Sequence, residues 1–347
     1  MTQGTDEKAE AWFHRKATDY VETQILYHLN QVGVWQLLAQ GHHHAHDIAA
    51  SLGLVPEVLK VLLEYVDGVD TLLVRDEEGR FGLSDFGQRV LSRFGRTGRD
   101  GTTYNLFDVR VGAYGPVWSQ LGGMLRGEAR YGREIERSGE RAAEAVFTVG
   151  QRMKEGFLAL LERHEPTMVV ELGVTSGLLE LASRRFPAMA AVGIDRNDAA
   201  LRQASRRFMG ETGKEGQWIE GDIFAVDSWI PGSFARERGL FVSVHFHEFL
   251  ARGVGELQRW VAALRAKLPG WLVLAIEQPR LRREDRQTVS EVGWLYNHSN
   301  VLIHHLIGNG HILSDASWRQ LFEEVGCELV EIHPMEFLGY KGYTFRL

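Results

Sequence analysis

VVELGVTSGLLELA, residues 169–182, and the run AAVGID, residues 190–195, decide the fold of this chain. The first stretch opens with β-branched and apolar residues and continues through a short turn bounded by Gly173 and Gly177. A helix-like apolar pattern follows the turn, and the second run has the composition of another strand, which ends in Asp195. This order of strand, glycine turn, helix and strand predicts a βαβ unit within a parallel sheet.

The glycine turn has the features of a nucleoside site. Glycine lets the backbone pass close to a ligand, and the start of the following helix offers free N–H groups. The acid at the end of the second strand, Asp195, can accept hydrogen bonds from both hydroxyls of a ribose, as in dinucleotide folds. The spacing is Gly-x-x-x-Gly, without the G-x-G-x-x-G fingerprint of a pyrophosphate site. The pattern therefore favours a nucleoside without a diphosphate, and S-adenosylmethionine fits best.

The composition is that of an ordinary soluble protein. The 347 residues include 39 basic and 46 acidic side chains, and the net charge of -7 makes an electrostatic case for nucleic acid weak. No apolar run approaches the roughly 20 residues that span a bilayer, and the polar, acidic N-terminal stretch is unlike a signal peptide. The single cysteine, Cys327, excludes an internal disulfide and suits a reducing compartment. We expect a cytoplasmic protein of one large or two domains, without nucleic-acid or membrane partners.

The first hundred residues read as helices with one hairpin. Apolar residues recur at helical spacing through residues 17–39, and two more helices flank the turn at residues 53–56. Two short strands then surround Glu78 and Gly79, and a helix follows Ser84. Helix–turn–helix followed by a hairpin predicts a winged-helix domain in residues 1–100.

The helix that would read DNA in such a domain, residues 56–66, carries Glu57 and Glu64 beside a single Lys60. Phosphate would repel these acids. We therefore expect the domain to serve in dimerisation or as a substrate lid. A winged-helix regulator, or an inactive scaffold that still binds the nucleoside, stays as an alternative.

The rest of the chain divides into two parts. Residues 101–165 look helical, with a glycine-rich break, and this pattern predicts a linker or substrate lid. Within it, Phe107 and Trp118 are expected to be core aromatics, and either could border a pocket. In residues 166–347 strands and helices alternate, which predicts a mostly parallel sheet with helices on both faces. The expected fold is an α/β Rossmann-like domain preceded by a mainly helical winged-helix domain.

The chain resembles the class I methyltransferases of the plant-type O-methyltransferase group over nearly its whole length. The resemblance rests on ELGVTSG, Asp195, GDIF at 221–224, HEF at 247–249, the strand-end Glu277 and WRQLFEEVGCELVEI near the C-terminus. It implies a winged-helix dimerisation domain, a Rossmann-like domain that binds S-adenosylmethionine, and a homodimer formed through the N-terminal domain.

The resemblance also implies the cofactor contacts. Gly173 and Asp195 would hold the methionine and ribose parts, and Asp222 with Ile223 would hold the adenine. The full expected set is Glu171, Gly173, Gly177, Asp195, Arg196, Gly221, Asp222, Ile223 and Ser243.

A His-Asp pair follows the fourth strand in that family, and this chain has His247 and Glu248 there. The family's histidine removes a proton from a phenol, a task suited to a neutral imidazole with a pKa of about 6.5. On this basis the chain would be a metal-independent O-methyltransferase of a phenolic or other small natural product. His247 would then be the base and Glu277 its orienting carboxylate.

Two departures from the family favour a different chemistry. Residues 294–311, WLYNHSNVLIHHLIGNGH, stand where an apolar substrate-binding helix is expected, and an extra His245 precedes His247. His247, Glu277 and His298 could form a two-His-one-carboxylate face that leaves metal positions open for a chelating substrate. This arrangement resembles the α-keto acid C-methyltransferases of peptide antibiotic pathways, whose substrate binds a metal through its keto and carboxylate oxygens.

This resemblance favours methylation of the β-carbon of an α-keto acid, with one divalent or trivalent metal ion, Fe or Zn. Such a cation stabilises the developing enolate oxygen while a base removes the β-proton. Glu248 is either that base or a structural acid. Arg126 or, preferably, Arg130 would bind the substrate carboxylate.

Other histidines leave the ligand set open. His304 or His305 could replace His298 as a metal ligand. His245 is expected to line the cofactor pocket rather than to bind metal. The run HHHAH, residues 42–46, is expected to form a surface turn.

Overall fold

The computed structural model describes residues 3–94, 108–335 and 337–347, without the side chains of 3–6, 92–94, 108, 144 and 145. The chain divides into two compact units, Met1–Trp118 with Arg137–Ala145 and Ser119–Glu136 with Val146–Leu347. The domain boundaries predicted after residues 100 and 165 stay predictions.

The first unit contains the predicted helix–turn–helix and hairpin. Its helices are α1 (Gln3–Gln31), α2 (Val34–Leu38), α3 (Ala45–Leu52), α4 (Pro56–Val69) and α5 (Asp85–Phe94). Strands β1 (Leu73–Arg75) and β2 (Phe81–Leu83) pair antiparallel. The turn between them places Gly79 at φ 76°, a conformation that favours glycine. The helices and the hairpin predicted for residues 1–100 are therefore confirmed in the described part of that range.

Helix α4 shows why this unit folds as it does. Its apolar residues Leu59, Leu63 and Val66 follow the helical repeat and are buried in the core of the unit. The opposite face is exposed and bears Glu64, whose carboxylate lies 3.1 Å from Arg75 and 3.9 Å from Lys60. Later in the unit, the half-buried Trp118 donates its indole N–H to the carbonyl of Arg110 at 2.7 Å, and Phe107 lies outside the described residues.

Two short helices and one longer helix connect the units in sequence: α6 (Gly115–Ser119), α7 (Leu121–Arg126) and α8 (Gly139–Arg152). The helices that follow are α9 (Lys154–His164), α10 (Leu178–Arg185), α11 (Asp198–Thr212), α12 (Val254–Lys267), α13 (Glu291–Leu306) and α14 (Asp315–Glu324). None of the described helices combines the length and the apolar character needed to cross a membrane.

The second unit is built on a seven-stranded sheet. Its strands are β3 (Met168–Leu172), β4 (Ala190–Asp195), β5 (Gln217–Glu220), β6 (Gly239–Ser243), β7 (Leu272–Glu277), β8 (Glu328–Pro334) and β9 (Lys341–Arg346). They are arranged in the order β5-β4-β3-β6-β7-β9-β8, and β9 runs antiparallel to both of its neighbours. The predicted mostly parallel sheet is confirmed.

The topology fixes where a ligand can bind. Strands β3 and β6 are buried along their whole length, as strands with covered faces must be. The chain passes from β3 outward to β5, then crosses over to β6 on the other side of β3. In open α/β sheets ligands bind at the carboxyl ends of the strands beside such a reversal. The ends of β3, β4, β6 and β7 therefore define the candidate site.

Candidate active site

The glycine turn after β3 presents an open backbone surface at Gly173. This residue has φ 83°, and a β-carbon there would meet no other atom within 4 Å. Its N–H donates to the carbonyl of Ile194 at 2.8 Å, which fixes the turn to the end of β4. The backbone at Gly173 is thus held in a conformation that glycine allows, with room beside it for a ligand.

Gly177, at the other end of the turn, faces protein. A β-carbon at Gly177 would overlap the ring of Phe147 and lie 2.8 Å from Nε2 of Gln151. Gln151 donates from that nitrogen to the carbonyl of Gly177 at 3.3 Å. Gly150 makes a similar close approach to the carbonyl of Ser176. Helix α8 therefore packs directly on the turn and leaves only the backbone of Gly177 for the predicted cofactor contact.

The carboxylate of Asp195 is held in place at the end of β4. Oδ2 accepts a hydrogen bond from the N–H of Val174 at 3.3 Å, and Oδ1 accepts one from the N–H of Asn197 at 2.9 Å. The carbonyl of Asp195 accepts from the N–H of Gly221 at 3.0 Å, which joins the ends of β4 and β5. Asp195 is half-buried, so part of its carboxylate is open to solvent, whereas Arg196 is exposed.

The predicted adenine segment follows β5. Oδ1 of Asp222 accepts from the N–H of Phe224 at 3.1 Å, and its Oδ2 lies 3.5 Å from the guanidinium of Arg252. That guanidinium lies over the ring of Phe224, 3.7 Å from its centroid. The carbonyl of Ile223 accepts from the indole of Trp260 at 2.8 Å. The segment is therefore anchored on the core side.

Beneath the glycine turn lies a buried carboxyl group, Glu171. Its Oε1 accepts hydrogen bonds from the N–H and the hydroxyl of Ser176. Burial raises the pKa of Glu171 to about 7, and the nearby carboxylate of Glu180 acts in the same direction. The sequence predicts Glu171 as a cofactor contact. In the structure its hydrogen bonds go to Ser176, within the glycine turn.

Replacing Glu171 by glutamine should change how stability depends on pH. A carboxyl group whose pKa is about 7 when folded, against about 4.3 when unfolded, favours the folded state below pH 4.3 and loses that contribution as pH rises towards 7. Glutamine does not titrate. As the pH rises from 5 to 8.5, we therefore expect the free energy of unfolding of Glu171→Gln to increase by about 2–3 kcal/mol relative to that of the wild type. Denaturant unfolding of both proteins at each pH measures this change. If the variant and the wild type differ in unfolding free energy by the same amount at the two pH values, the prediction is wrong.

At the end of β6 lies a buried histidine held by a buried carboxylate. The backbone N–H of His247 donates to Oε1 of Glu277 at 2.7 Å, and its Nδ1 lies 3.0 and 2.9 Å from the two carboxylate oxygens. The sequence places them together because β6 and β7 are parallel neighbours whose carboxyl ends meet. A carboxylate only accepts hydrogen bonds, so Nδ1 carries the proton in this pair.

Further histidines surround this pair. The ring of His304, on α13, lies edge-on to His247 with 4.2 Å between centroids. The backbone of His245 donates to the hydroxyl of buried Ser243 at 3.1 Å. Ser243, predicted as a cofactor contact, therefore supports the start of the loop that carries both His245 and His247.

A candidate metal-ligand group also lies on this loop. One ligand atom each of His245, His247 and Glu248 lie within 4.8 Å of one another. Nδ1 of His245 is 3.9 Å from Oε1 of Glu248, and that oxygen accepts from the amide of Asn309 at 2.7 Å. Among the described residues, this is the group of three whose atoms converge closely enough for a shared ion.

The predicted set of His247, Glu277 and His298 forms no such group within the described part of the chain. His298 is exposed, its Nδ1 lies 3.1 Å from the carbonyl of Trp294, and its ring packs on that indole. Helix phase is the reason, because α13 buries Asn297 and Asn300, and His304 follows Asn300 by one turn on the same face. His305, like His298, is exposed.

The two arginines proposed for a substrate carboxylate are both exposed. Arg126 ends α7 and pairs with Glu128 at 2.8 Å. The backbone of Arg130 donates to Glu134 at 3.0 Å. Neither contact tests the predicted role, which stays a prediction.

Solved structures share this fold over nearly the whole chain. Human N-acetylserotonin methyltransferase, solved in complex with SAM, is 17% identical with a TM-score of 0.73, and the match covers 97% of each chain. The mitomycin 7-O-methyltransferase MmcR is 16% identical with a TM-score of 0.75, and 99% of each chain is covered. PigF, solved with SAH, is 16% identical with a TM-score of 0.65, covering 100% of this chain and 99% of that one.

No protein-family model and no curated protein sequence matches the chain. At these low identities the structural likeness establishes the fold alone. That fold is the predicted one, a Rossmann-like domain of the class I methyltransferase type preceded by a mainly helical region.

Proposed function

We propose that this chain is an S-adenosylmethionine-dependent methyltransferase of a small organic acceptor, with His247 as general base. The observation that carries the proposal is the buried His247–Glu277 pair, at the same sheet edge as the glycine turn and Asp195. Proteins of this fold include an N-acetylserotonin methyltransferase and a mitomycin 7-O-methyltransferase, which supports methyl transfer to a small molecule.

The residues at the sheet edge fit the cofactor. Gly173 offers a backbone surface with open space where a β-carbon would be, and Asp195 offers a half-exposed carboxylate for ribose hydroxyls. Asp222 lies at the end of the next strand, where the adenine is expected. When bound, S-adenosylmethionine supplies an electrophilic methyl group on its sulfonium.

The pair prepares His247 to take a proton from the acceptor. Since Nδ1–H donates to Glu277, the tautomer is fixed and the basic lone pair is on Nε2. Glu277 also accepts from the backbone N–H of His247, so the carboxylate is held at two points and orients the ring. Its charge stabilises the imidazolium that forms when Nε2 accepts the proton.

The proposal is tested by binding and by transfer. Calorimetry with S-adenosylhomocysteine should give one site per chain, and labelled S-adenosylmethionine should methylate an acceptor in a panel of phenols, amines and α-keto acids. A folded chain that binds neither cofactor form would overturn it.

A second candidate function is supported by the convergence of His245, His247 and Glu248. Two imidazoles and a carboxylate are the donors of a facial triad for Fe, and they also suit Zn. The two groups that would orient the ligands are in place, with Glu277 on Nδ1 of His247 and Asn309 on Glu248. When bound, such a metal supplies a Lewis acid for an enolate oxygen, which would suit C-methylation of an α-keto acid.

Metal content separates the two candidates. If the loop binds metal, we expect about one Zn or Fe ion per purified chain, lost in both His245→Ala and Glu248→Ala. His298→Ala is the matched control, because this exposed histidine lies outside the group and should leave the metal content unchanged. Elemental analysis and the visible absorption of the Co²⁺-loaded chain measure the result. Only trace metal after reconstitution would exclude the metal candidate and leave the base-catalysed one.

A further inference from the structure

A buried charge cluster supports the glycine turn from below. Glu171, at the end of β3, and Glu180, in the first turn of α10, are both at most 2% exposed. The side chain of Arg207, on α11, is 23% exposed and is the cation of the cluster. Two carboxyl groups and one guanidinium therefore share a site that is largely closed to water.

Arg207 contacts three elements that shape the turn. Its Nε donates to Oε1 of Glu180 at 2.6 Å, and its terminal nitrogen lies 3.4 Å from the carbonyl of Val174 within the turn. Its guanidinium also lies over the ring of Phe147, 4.8 Å from the centroid. Phe147 is the side chain that covers Gly177. One side chain thus links the first turn of α10, the middle of the glycine turn and the helix that packs on it.

The charge balance of Glu180 depends on this contact. Among the described residues, no donor reaches the second oxygen of Glu180, which is buried. An ionised carboxylate without a counterion is strongly disfavoured in such a place, and its side chain would be drawn towards water. Glu180 lies in the first turn of α10, so moving its side chain towards water would require the start of α10 to shift, and the turn ends where α10 begins.

We propose that Arg207 is a positioning residue for the cofactor turn, and that it sets cofactor affinity by neutralising Glu180 beneath Gly173–Gly177. This inference rests on the proposed cofactor site and deepens it. Arg207 is 12 positions beyond Asp195 in the sequence, on the helix that follows β4, and acts through Val174 and Glu180. Its effect should therefore fall on binding rather than on the chemical step.

The first test is Arg207→Met, which keeps the length of the side chain and removes its charge. We expect the Kd for S-adenosylhomocysteine to rise by about tenfold or more, while kcat at saturating cofactor changes by less than about threefold. Arg206→Met is the matched control on the same helix, because Arg206 is exposed. A Kd for Arg207→Met equal to that of the control would overturn the proposal.

The second test restores the balance by removing both charges. A buried ion pair can often be replaced by apolar side chains without loss, whereas removing one partner is costly. Glu180→Met combined with Arg207→Met should therefore return the Kd to within about threefold of the wild type. This double variant also decides the matter if Arg207→Met alone does not fold. If the double variant folds but binds as weakly as Arg207→Met, or fails to fold, neutralisation of Glu180 is not the role of Arg207. If the wild type binds S-adenosylhomocysteine, the proposed cofactor site stands whichever result the variants give.

Discussion

Replacing His247 by glutamine is expected to lower kcat for methyl transfer by about 10²–10⁴-fold, the range associated with loss of a positioned general base. Glutamine cannot take up a proton, so the proton transfer is lost, while the backbone N–H of residue 247 can still donate to Glu277. The affinity for S-adenosylhomocysteine should stay close to that of the wild type, because the predicted contacts with its methionine, ribose and adenine parts follow β3, β4 and β5. Steady-state kinetics and calorimetry measure the two effects.

His298→Gln is the control for this substitution, because His298 is exposed and its ring packs on Trp294 of its own helix. It should retain full activity. Activity of His247→Gln within about tenfold of the wild type would show that another group takes the proton, and Glu248 would then be the first to test. Under the metal candidate His247→Gln would also lose bound metal, so metal content is measured on the same sample.

Much of the fold could be predicted from the sequence because its signals are local. The apolar runs at β3 and β4 are adjacent to the glycine turn, and the hairpin around Gly79 has its turn residue in place. The pairing of His247 with Glu277 was implied by the resemblance to the plant-type O-methyltransferase group, and the parallel pairing of β6 with β7 accounts for it, because parallel neighbours end at the same edge.

The histidine that lies beside His247 could not be chosen from the sequence without the phase of α13. His298, His304 and His305 all occur on one helix, and their identities alone do not tell which faces the sheet. The buried Asn297 and Asn300 carry that information, since they precede His304 by seven and four positions on one face. An asparagine–asparagine–histidine stripe within an apolar helix was the available signal.

The contacts beneath the cofactor turn had no local signal. Gly177 matched a ligand-binding pattern. In the structure, the absence of a side chain there leaves space for the ring of Phe147, which lies 30 positions earlier in the sequence, on α8. Arg207 and Glu180 are 27 positions apart and read separately as ordinary charges on two surface helices. Tertiary packing brings them together, and only the structure shows that both lie under the turn.

Asp195→Ala should weaken cofactor binding by about 100-fold, because each hydrogen bond to a charged acceptor contributes about 1.5–3 kcal/mol and the carboxylate can accept from both ribose hydroxyls. Calorimetry with S-adenosylhomocysteine measures this change. Asp198→Ala is the control, since Asp198 is exposed three positions later and pairs with Arg202 on α11. Its Kd should match that of the wild type.

Asp195 also accepts from Val174 and Asn197, so its removal could loosen the turn instead of removing a ligand contact. A cofactor analogue that lacks the ribose 3′-hydroxyl separates these causes. If Asp195 binds the ribose, the analogue already lacks one of the two hydrogen bonds, and Asp195→Ala should cost it about tenfold less than it costs the natural ligand. Equal losses for the two ligands would mean that Asp195 acts by holding the turn, and the ribose would then need another acceptor at the end of β4.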